Sequence, residues 1–450
     1  MTTLWFETAL LADGWARAVR LSLAGGRIET VVVGADPTAD DQRGGVALPG
    51  LPNLHSHAFQ RAMAGLTEAR GPTADSFWSW RELMYRFVGR LEPDDIEAIA
   101  ALAFMEMLET GFTRVGEFHY LHHDRDGRAY ANPAEMGERI AAAAAESGIG
   151  LTLLPVFYAH AGFGEAPPTD GQRRFVTDAD GYARLLEASR AAVAGLPDAV
   201  VGAAPHSLRA VTRSELAAVS GGAGPVHIHI AEQLREVDDC LAWSGARPVD
   251  WLMDNAAVDA RWCLVHATHM TADETARLAR SGAVAGLCPI TEANLGDGLF
   301  PAAAFLDAGG AIGVGSDSNV RIDAAEELRL LEYGQRLSAR ARNVLAGGAG
   351  ASTGAALYRR SLAGGAQALG QPTGLSEGAP ADLVTLDAGH PDLAGRTGDA
   401  ILDGYVFAGG SRLVKDVWRA GRKVVEDGRL YARDRIVARY RLTLERLLSA

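Results

Sequence analysis

The spacing of apolar residues changes twice along the chain. From residue 1 to about 48 they fall in short runs, Ala18-Val19-Arg20-Leu21-Ser22-Leu23 and Ile28-Glu29-Thr30-Val31-Val32-Val33, separated by Gly25-Gly26. Such runs predict short strands joined by tight turns. The C-terminal part returns to this pattern in Ala381-Asp382-Leu383-Val384-Thr385-Leu386 and in Val417 to Val425, which turns at Gly421. The two ends are therefore expected to build one small β-sandwich subdomain. Residues 1–48 supply its first part, and 376–450 its second part plus a terminal helix.

Between them, over 49–375, strand-like apolar segments alternate with helical sequence. The strand candidates are Val46–Asn53, Thr113–Gly116, Gly150–Val156, Val200–Ala204, Val226–Ile230, Cys263–Val265, Ala283–Leu287 and Ala311–Gly315. Helices are predicted behind them, among them Pro93–Glu109, Pro133–Ser147 and Ala179–Ala194. Alternation of this kind implies an α/β fold with parallel strands and right-handed crossovers. Eight units over about 300 residues suit a closed (β/α)8 TIM-type barrel better than an open doubly wound sheet.

Composition narrows the function classes. At 450 residues, 48% hydrophobic and 22% charged, the chain is globular and large enough for a sizeable core. A formal charge of -13 disfavours a nucleic-acid surface or an anionic membrane face, so a small-molecule substrate is expected. Cys240, Cys263 and Cys288 form no C-x-x-C pair, and they read as buried thiols of a reducing cytosol. No basic leader precedes an apolar core at the N-terminus, and no run approaches the ~20 apolar residues of a spanning helix. A cytoplasmic protein is expected. Lys415 and Lys423 are the only lysines, which removes lysine as a catalytic base or metal-bridging carbamate from the whole barrel.

In a (β/α)8 barrel the reactive side chains sit at the C-terminal ends of the strands. The first strand ends in His55-Ser56-His57, the fifth in His227-Ile228-His229-Ile230-Ala231-Glu232, the sixth in His266, and the eighth in Gly315-Ser316-Asp317. Residues two apart on a strand share a face, so His55 and His57 can converge on one ion. His229 lies nearer the barrel mouth than His227 and is the expected ligand; His227 reads as a core histidine. Three imidazoles and the carboxylate of Asp317 suit Zn²⁺ or Fe²⁺ with a position left for water. Such an ion lowers the pKa of bound water toward neutrality. Glu232 is placed to move a proton, unless it is a solvated residue at a helix start. His266 can bond the water or the developing charge, or serve as a further ligand or strand-end cap. Whether His266 or Asp317 takes the first proton stays open.

This set, in this order, resembles the amidohydrolase superfamily. The H-x-x-E after the fifth strand is similar to that of its one-metal deaminases, which implies one Zn²⁺ per subunit, with Fe²⁺ possible, and a homodimer. Leu54 to Gly65, Gly116-Glu117-Phe118-His119-Tyr120, Ala204 to Arg209 and Gly315 to Arg321 look like the formiminoglutamate deiminase family of bacterial histidine degradation. The resemblance implies hydrolysis of N-formimino-L-glutamate to N-formyl-L-glutamate and ammonia. Two substrate carboxylates call for arginine and hydroxyl donors. Arg209, Arg81 and Tyr120 are the expected partners, with Gln60 and His206 orienting the formimino end. Arg81 could instead form a surface ion pair, and Tyr120 could pack without touching ligand. A purine, pterin or S-adenosylhomocysteine-like deaminase on the same scaffold is the alternative enzyme, and a non-catalytic binding barrel the remote one.

Overall fold

In the computed structural model, which describes residues 2–70 and 76–449, the N-terminal strands follow the expected alternation. β1 (Thr2–Leu11) buries Leu4 and Phe6 and exposes Glu7, and β2 (Gly14–Ala24) buries Val19, Leu21 and Leu23. β2 pairs antiparallel with β1 and with β3 (Arg27–Val33), while β4 (Gln42–Pro49) runs parallel to β1.

The run Val46–Asn53, expected as the first barrel strand, is divided. Val46–Pro49 belongs to β4, and the barrel strand is β5 (Leu51–Ser56). The chain changes ladders at Gly50, whose N–H bonds to the Asp382 carbonyl at 3.1 Å while that of Leu51 bonds to Gly111 at 3.2 Å. A Cβ at residue 50 would lie 2.1 Å from Thr113, so only glycine fits the crossing.

Parallel ladders then join β5 to β6 (Phe112–His119), β7 (Gly150–Phe157) and β8 (Val200–Val201), with β9 (Ala204–Pro205) also on β7. A second parallel set runs through β10 (Val226–Ile230), β11 (Trp262–His266), β12 (Val284–Leu287) and β13 (Ala311–Val314). Isolated bridges close the ring: Ala203 with Val226 and Ser207 with His229 on one side, Ser56 with Asp317 on the other. Helices Pro93–Glu109, Glu135–Ser147 and Ala179–Val193 form where helical periodicity predicts them. The helix Thr353–Leu369 ends beneath the barrel, where the Ala368 carbonyl accepts from His227 Nε2 at 2.7 Å and that of Leu369 from Thr152 Oγ1 at 3.0 Å. Helix-end carbonyls without intrahelical partners are thus satisfied, and His227 is the core histidine its position implies.

The C-terminal strands return to the first sheet. β14 (Leu383–Leu386) lies antiparallel on β4, and β15 (Val414–Arg419), β16 (Arg422–Glu426) and β17 (Arg429–Leu430) follow outward. One continuous eight-stranded path therefore contains both chain ends. Phe6 of β1 meets Trp418 of β15 edge-on at 6.4 Å although two strands separate them, so the sheet curls over its own core. Asp198 ties this sheet to the barrel by pairing with Arg114 of β6 at 2.6 Å and with Arg419 of β15.

Candidate metal centre and substrate cavity

The backbone bridge that closes the barrel also places the candidate metal ligands. His57 N–H donates to the Asp317 carbonyl at 2.8 Å, and Asp317 N–H to the His55 carbonyl at 2.9 Å. The strands can approach this closely because residue 315 is glycine; a Cβ there would stand 2.7 Å from the His55 backbone. Asp317 itself takes the left-handed conformation at φ +42°, as does His266 at +68°. Such backbone is costly for a side-chain-bearing residue and persists where surrounding structure holds it.

His57 Nδ1 lies 2.8 Å from the Phe118 carbonyl, and His229 Nδ1 3.0 Å from that of His206. A carbonyl only accepts, so each Nδ1 carries the proton and each Nε2 is a bare lone pair. Both bare nitrogens face His55 Nε2, at 3.2 Å from His57 and 3.0 Å from His229. Asp317 Oδ1 completes the group, 3.3 Å from His57 Nε2 and 3.6 Å from His55 Nε2. His55 Nδ1 is buried without a partner among the described residues. Lone pairs and a carboxylate oxygen repel one another, and a divalent cation at their centre is what this donor set fits. Burial drives His57 down to about 3, while burial and neighbouring imidazoles hold His55 and His229 well below the usual histidine range. Neutral imidazoles are the form that binds a metal. Burial also raises Asp317 to about 7, and a bound cation would return it to carboxylate.

His266 stands beside this group. Burial works against its charge, but Glu232, a hydrogen bond to Glu292 and the field of Asp317 outweigh it and raise its pKa well above the usual value. Its Nδ1 meets Glu292 Oε1 at 3.2 Å, an oxygen that also accepts from Cys288 N–H at 2.9 Å. The opposite nitrogen faces Glu232 Oε1 at 3.7 Å and Asp317 Oδ2 at 3.8 Å. Glu232 is 5% exposed, which excludes the solvated helix-start alternative. Its turn is held by Glu236, whose carboxylate accepts the N–H groups of Ala231 and Glu232 at 3.3 and 3.2 Å.

A cavity opens above these groups. Every candidate residue lines it except His55, which lies beneath among the other ligands. Gln60 Nε2 donates to Tyr120 Oη at 2.8 Å, leaving Gln60 Oε1 without a partner among the described residues. His206 Nδ1 lies 3.1 Å from Ser207 Oγ. Arg81 and Arg209 have no carboxylate within ion-pairing reach among the described residues, and the Nε of each is buried without a hydrogen bond. Among the described residues, the surface ion pair left open for Arg81 is therefore absent. Burial opposes the charge of Arg209, and the fields of Glu236, Tyr158 and Glu232 overcome that opposition.

Periodicity missed three contributors. Glu292 follows β12 in Cys288-Pro289-Ile290-Thr291-Glu292, and a carboxylate shortly after a strand end is the signal that marks it. Phe118 packs on His229 and His55 with ring centroids 4.6 and 5.0 Å apart while its carbonyl orients His57. The helix Phe77–Val88, which carries Arg81 and Met84 to the cavity, lies between β5 and the helix Pro93–Glu109 as an insertion with no place in the βα alternation.

Comparison with known proteins agrees with this geometry. Residues 46–424 match the amidohydrolase family, and residues 1–45 match the N-terminal domain of formimidoylglutamate deiminase HutF. The chain is 55% identical to the formimidoylglutamate deiminase of Pseudomonas aeruginosa, with 100% of both chains covered. It is 29% identical to a 5-methylthioadenosine/S-adenosylhomocysteine deaminase of Natronomonas pharaonis, covering 81% of this chain and 79% of the other. A crystal structure of an amidohydrolase from Brucella melitensis superimposes with a TM-score of 0.96 at 55% identity over the whole of both chains. The chain belongs to the amidohydrolase family and, within it, to the formimidoylglutamate deiminases.

Proposed function

We propose that the protein hydrolyses N-formimino-L-glutamate to N-formyl-L-glutamate and ammonia. The observation that carries this reading is the pair of guanidiniums, Arg81 and Arg209, that have no ion-pairing carboxylate among the described residues and share a cavity with the His-His-His-Asp cluster. A substrate with two carboxylates at one end and a hydrolysable C=N bond at the other matches both features. The assignment agrees with the name of the Pseudomonas aeruginosa relative.

His55, His57, His229 and Asp317 would hold one divalent ion, zinc in this proposal, which when bound supplies the Lewis acidity that activates water near neutral pH. The chain's own groups handle the protons. Both protons of the water, one given up as its oxygen attacks the formimino carbon and one from the hydroxyl this leaves on that carbon, are delivered by Glu232 to the terminal nitrogen, so that the C–N bond breaks, ammonia leaves and the carbon keeps the oxygen as a carbonyl. His266, held by Glu292, faces the same position and stabilises charge developing there. Arg81, Arg209 and Tyr120 hold the glutamyl carboxylates, while Gln60 and His206 orient the formimino group. Three buried free cysteines support a reducing, cytoplasmic setting, and the proposal includes a homodimer with neither nucleic acid nor membrane as partner.

Ammonia release should be measured from N-formimino-L-glutamate, guanine, adenosine and S-adenosylhomocysteine. Turnover of the first alone is expected. Turnover of a heterocycle without the first would favour the other deaminase reading, to which the Natronomonas pharaonis relative and the aromatic cavity residues Phe77, Trp80 and Phe175 lend support. About one equivalent of zinc per chain is expected by metal analysis.

A further inference from the structure

Trp78 holds an arrangement that the reaction chemistry does not account for. The guanidinium carbons of Arg81, Arg235 and Arg209 lie 4.5, 4.7 and 5.9 Å from its ring centroid. They come from three places: Arg81 one turn along the same helix, Arg209 from the segment after β9, and Arg235 from the helix Leu234–Ser244. Like charges gathered this closely repel one another. Among the described residues no carboxylate pairs with Arg81 or Arg209, and Arg235 has Asp239, at 3.6 Å on an exposed surface. The electron-rich face of an indole is the remaining attraction that all three share. Trp78 does not line the cavity, whereas Arg81 and Arg209 do.

We propose that Trp78 is a positioning residue for substrate specificity, a ring that sets the orientation of Arg81 and Arg209 before a dicarboxylate arrives. The proposal deepens the substrate assignment above and rests on it for the identity of the anion. An arginine neutralised by a protein carboxylate would have to break that pair to bind substrate. Stacking on a neutral ring keeps the guanidinium ordered while leaving its N–H groups to the ligand, so less freedom is lost on binding. Because Arg209 and Arg235 belong to the barrel side and Trp78 to the inserted helix, the same contacts fasten that helix over the cavity.

The test compares wild type with Trp78→Phe and Trp78→Leu, using steady-state turnover of N-formimino-L-glutamate and calorimetric titration with glutarate, a plain dicarboxylate. Two partly desolvated cation–π contacts are worth roughly a tenfold to hundredfold change in binding. Trp78→Leu should raise KM and the glutarate Kd by roughly that factor while kcat falls less than about threefold. Trp78→Phe, which keeps an aromatic face, should recover most of the loss. A structural role alone would lower kcat and thermal stability together and would not spare the phenylalanine variant. KM and glutarate Kd within about twofold of wild type in Trp78→Leu would overturn the proposal. Wild type that binds glutarate but fails to turn over N-formimino-L-glutamate would sink the substrate assignment, and the glutarate titrations would still decide the role of Trp78.

Discussion

The two ends of the cavity are built by opposite means. At the metal end, His55, His57, His229, His266 and Asp317 stand on strand ends, and backbone carbonyls or a barrel-closing ladder fix the ligands. At the other end, Arg81 and Arg209 come from an inserted helix and a loop, and ring contacts hold them in place of ion pairs. Bond making at a metal tolerates little displacement of its ligands and proton carriers, so that end is over-determined and strained. In the proposed function, recognition of carboxylates needs cations whose N–H groups are left to the ligand, and among the described residues neither arginine has an ion-pairing carboxylate. Damage to the first should appear in kcat and damage to the second in KM.

The largest break in this comparison is expected from Glu232→Gln. The amide keeps the size of the side chain but cannot carry a proton, so kcat should fall roughly 10²- to 10⁴-fold while zinc content and KM change little. Residual activity above about a tenth of wild type would take Glu232 out of the proton path. The complementary break is Arg209→Met, which keeps the aliphatic stem and removes the charge. Loss of charge-assisted hydrogen bonds worth about 1.5–3 kcal/mol should raise KM roughly 10- to 100-fold with a smaller change in kcat, and Arg81→Met should do the same. If either variant lost kcat at constant KM, the division of labour between the two ends would fail.

Legibility in the sequence divides along the same line. The metal end is legible because each candidate ligand lies at or just beyond the C-terminal end of a strand, and strand periodicity is a local signal: His55 and His57 share a face, and His229 and Asp317 fall where strands end. The fold was legible for the same reason, with Pro93–Glu109 found at its predicted bounds. At Gly50 periodicity failed, because an apolar run continues through the point where the chain changes sheets; only contact with Thr113 marks the break. The arginine end is legible through family likeness more than through pattern. Its inserted helix Phe77–Val88 follows no βα rule, and the stacking of three arginines on Trp78 joins residues more than 150 positions apart. Glu292, five residues past the end of β12, obeys the same strand-end rule as the metal end.

A finer cut within the metal end comes from Glu292→Gln. The amide oxygen can still accept from Cys288 N–H, but the negative charge opposite His266 Nδ1 is gone. Residues that orient a reacting group from behind typically cost 10- to 100-fold when changed. A conservative amide should fall near the lower bound, about tenfold in kcat with zinc retained. A loss equal to that of Glu232→Gln would mean that Glu292 moves protons itself.

The smallest expected effect is the sharpest test of separateness. Stripping the ion with a chelator should abolish turnover and lower Tm, because metal affinity contributes to the folded state alone. Glutarate binding, measured by calorimetry on the same stripped protein, should change less than about threefold. Its carboxylates are expected to meet guanidiniums oriented by Trp78 and to stay clear of the emptied ligands, three neutral imidazoles and Asp317, whose pKa burial raises to about 7. A loss of tenfold or more would show that a carboxylate reaches the ion, or that the metal ligands hold the arginine end in place. The cavity would then be one coupled unit instead of a rigid reaction centre beside an independently ordered anion site.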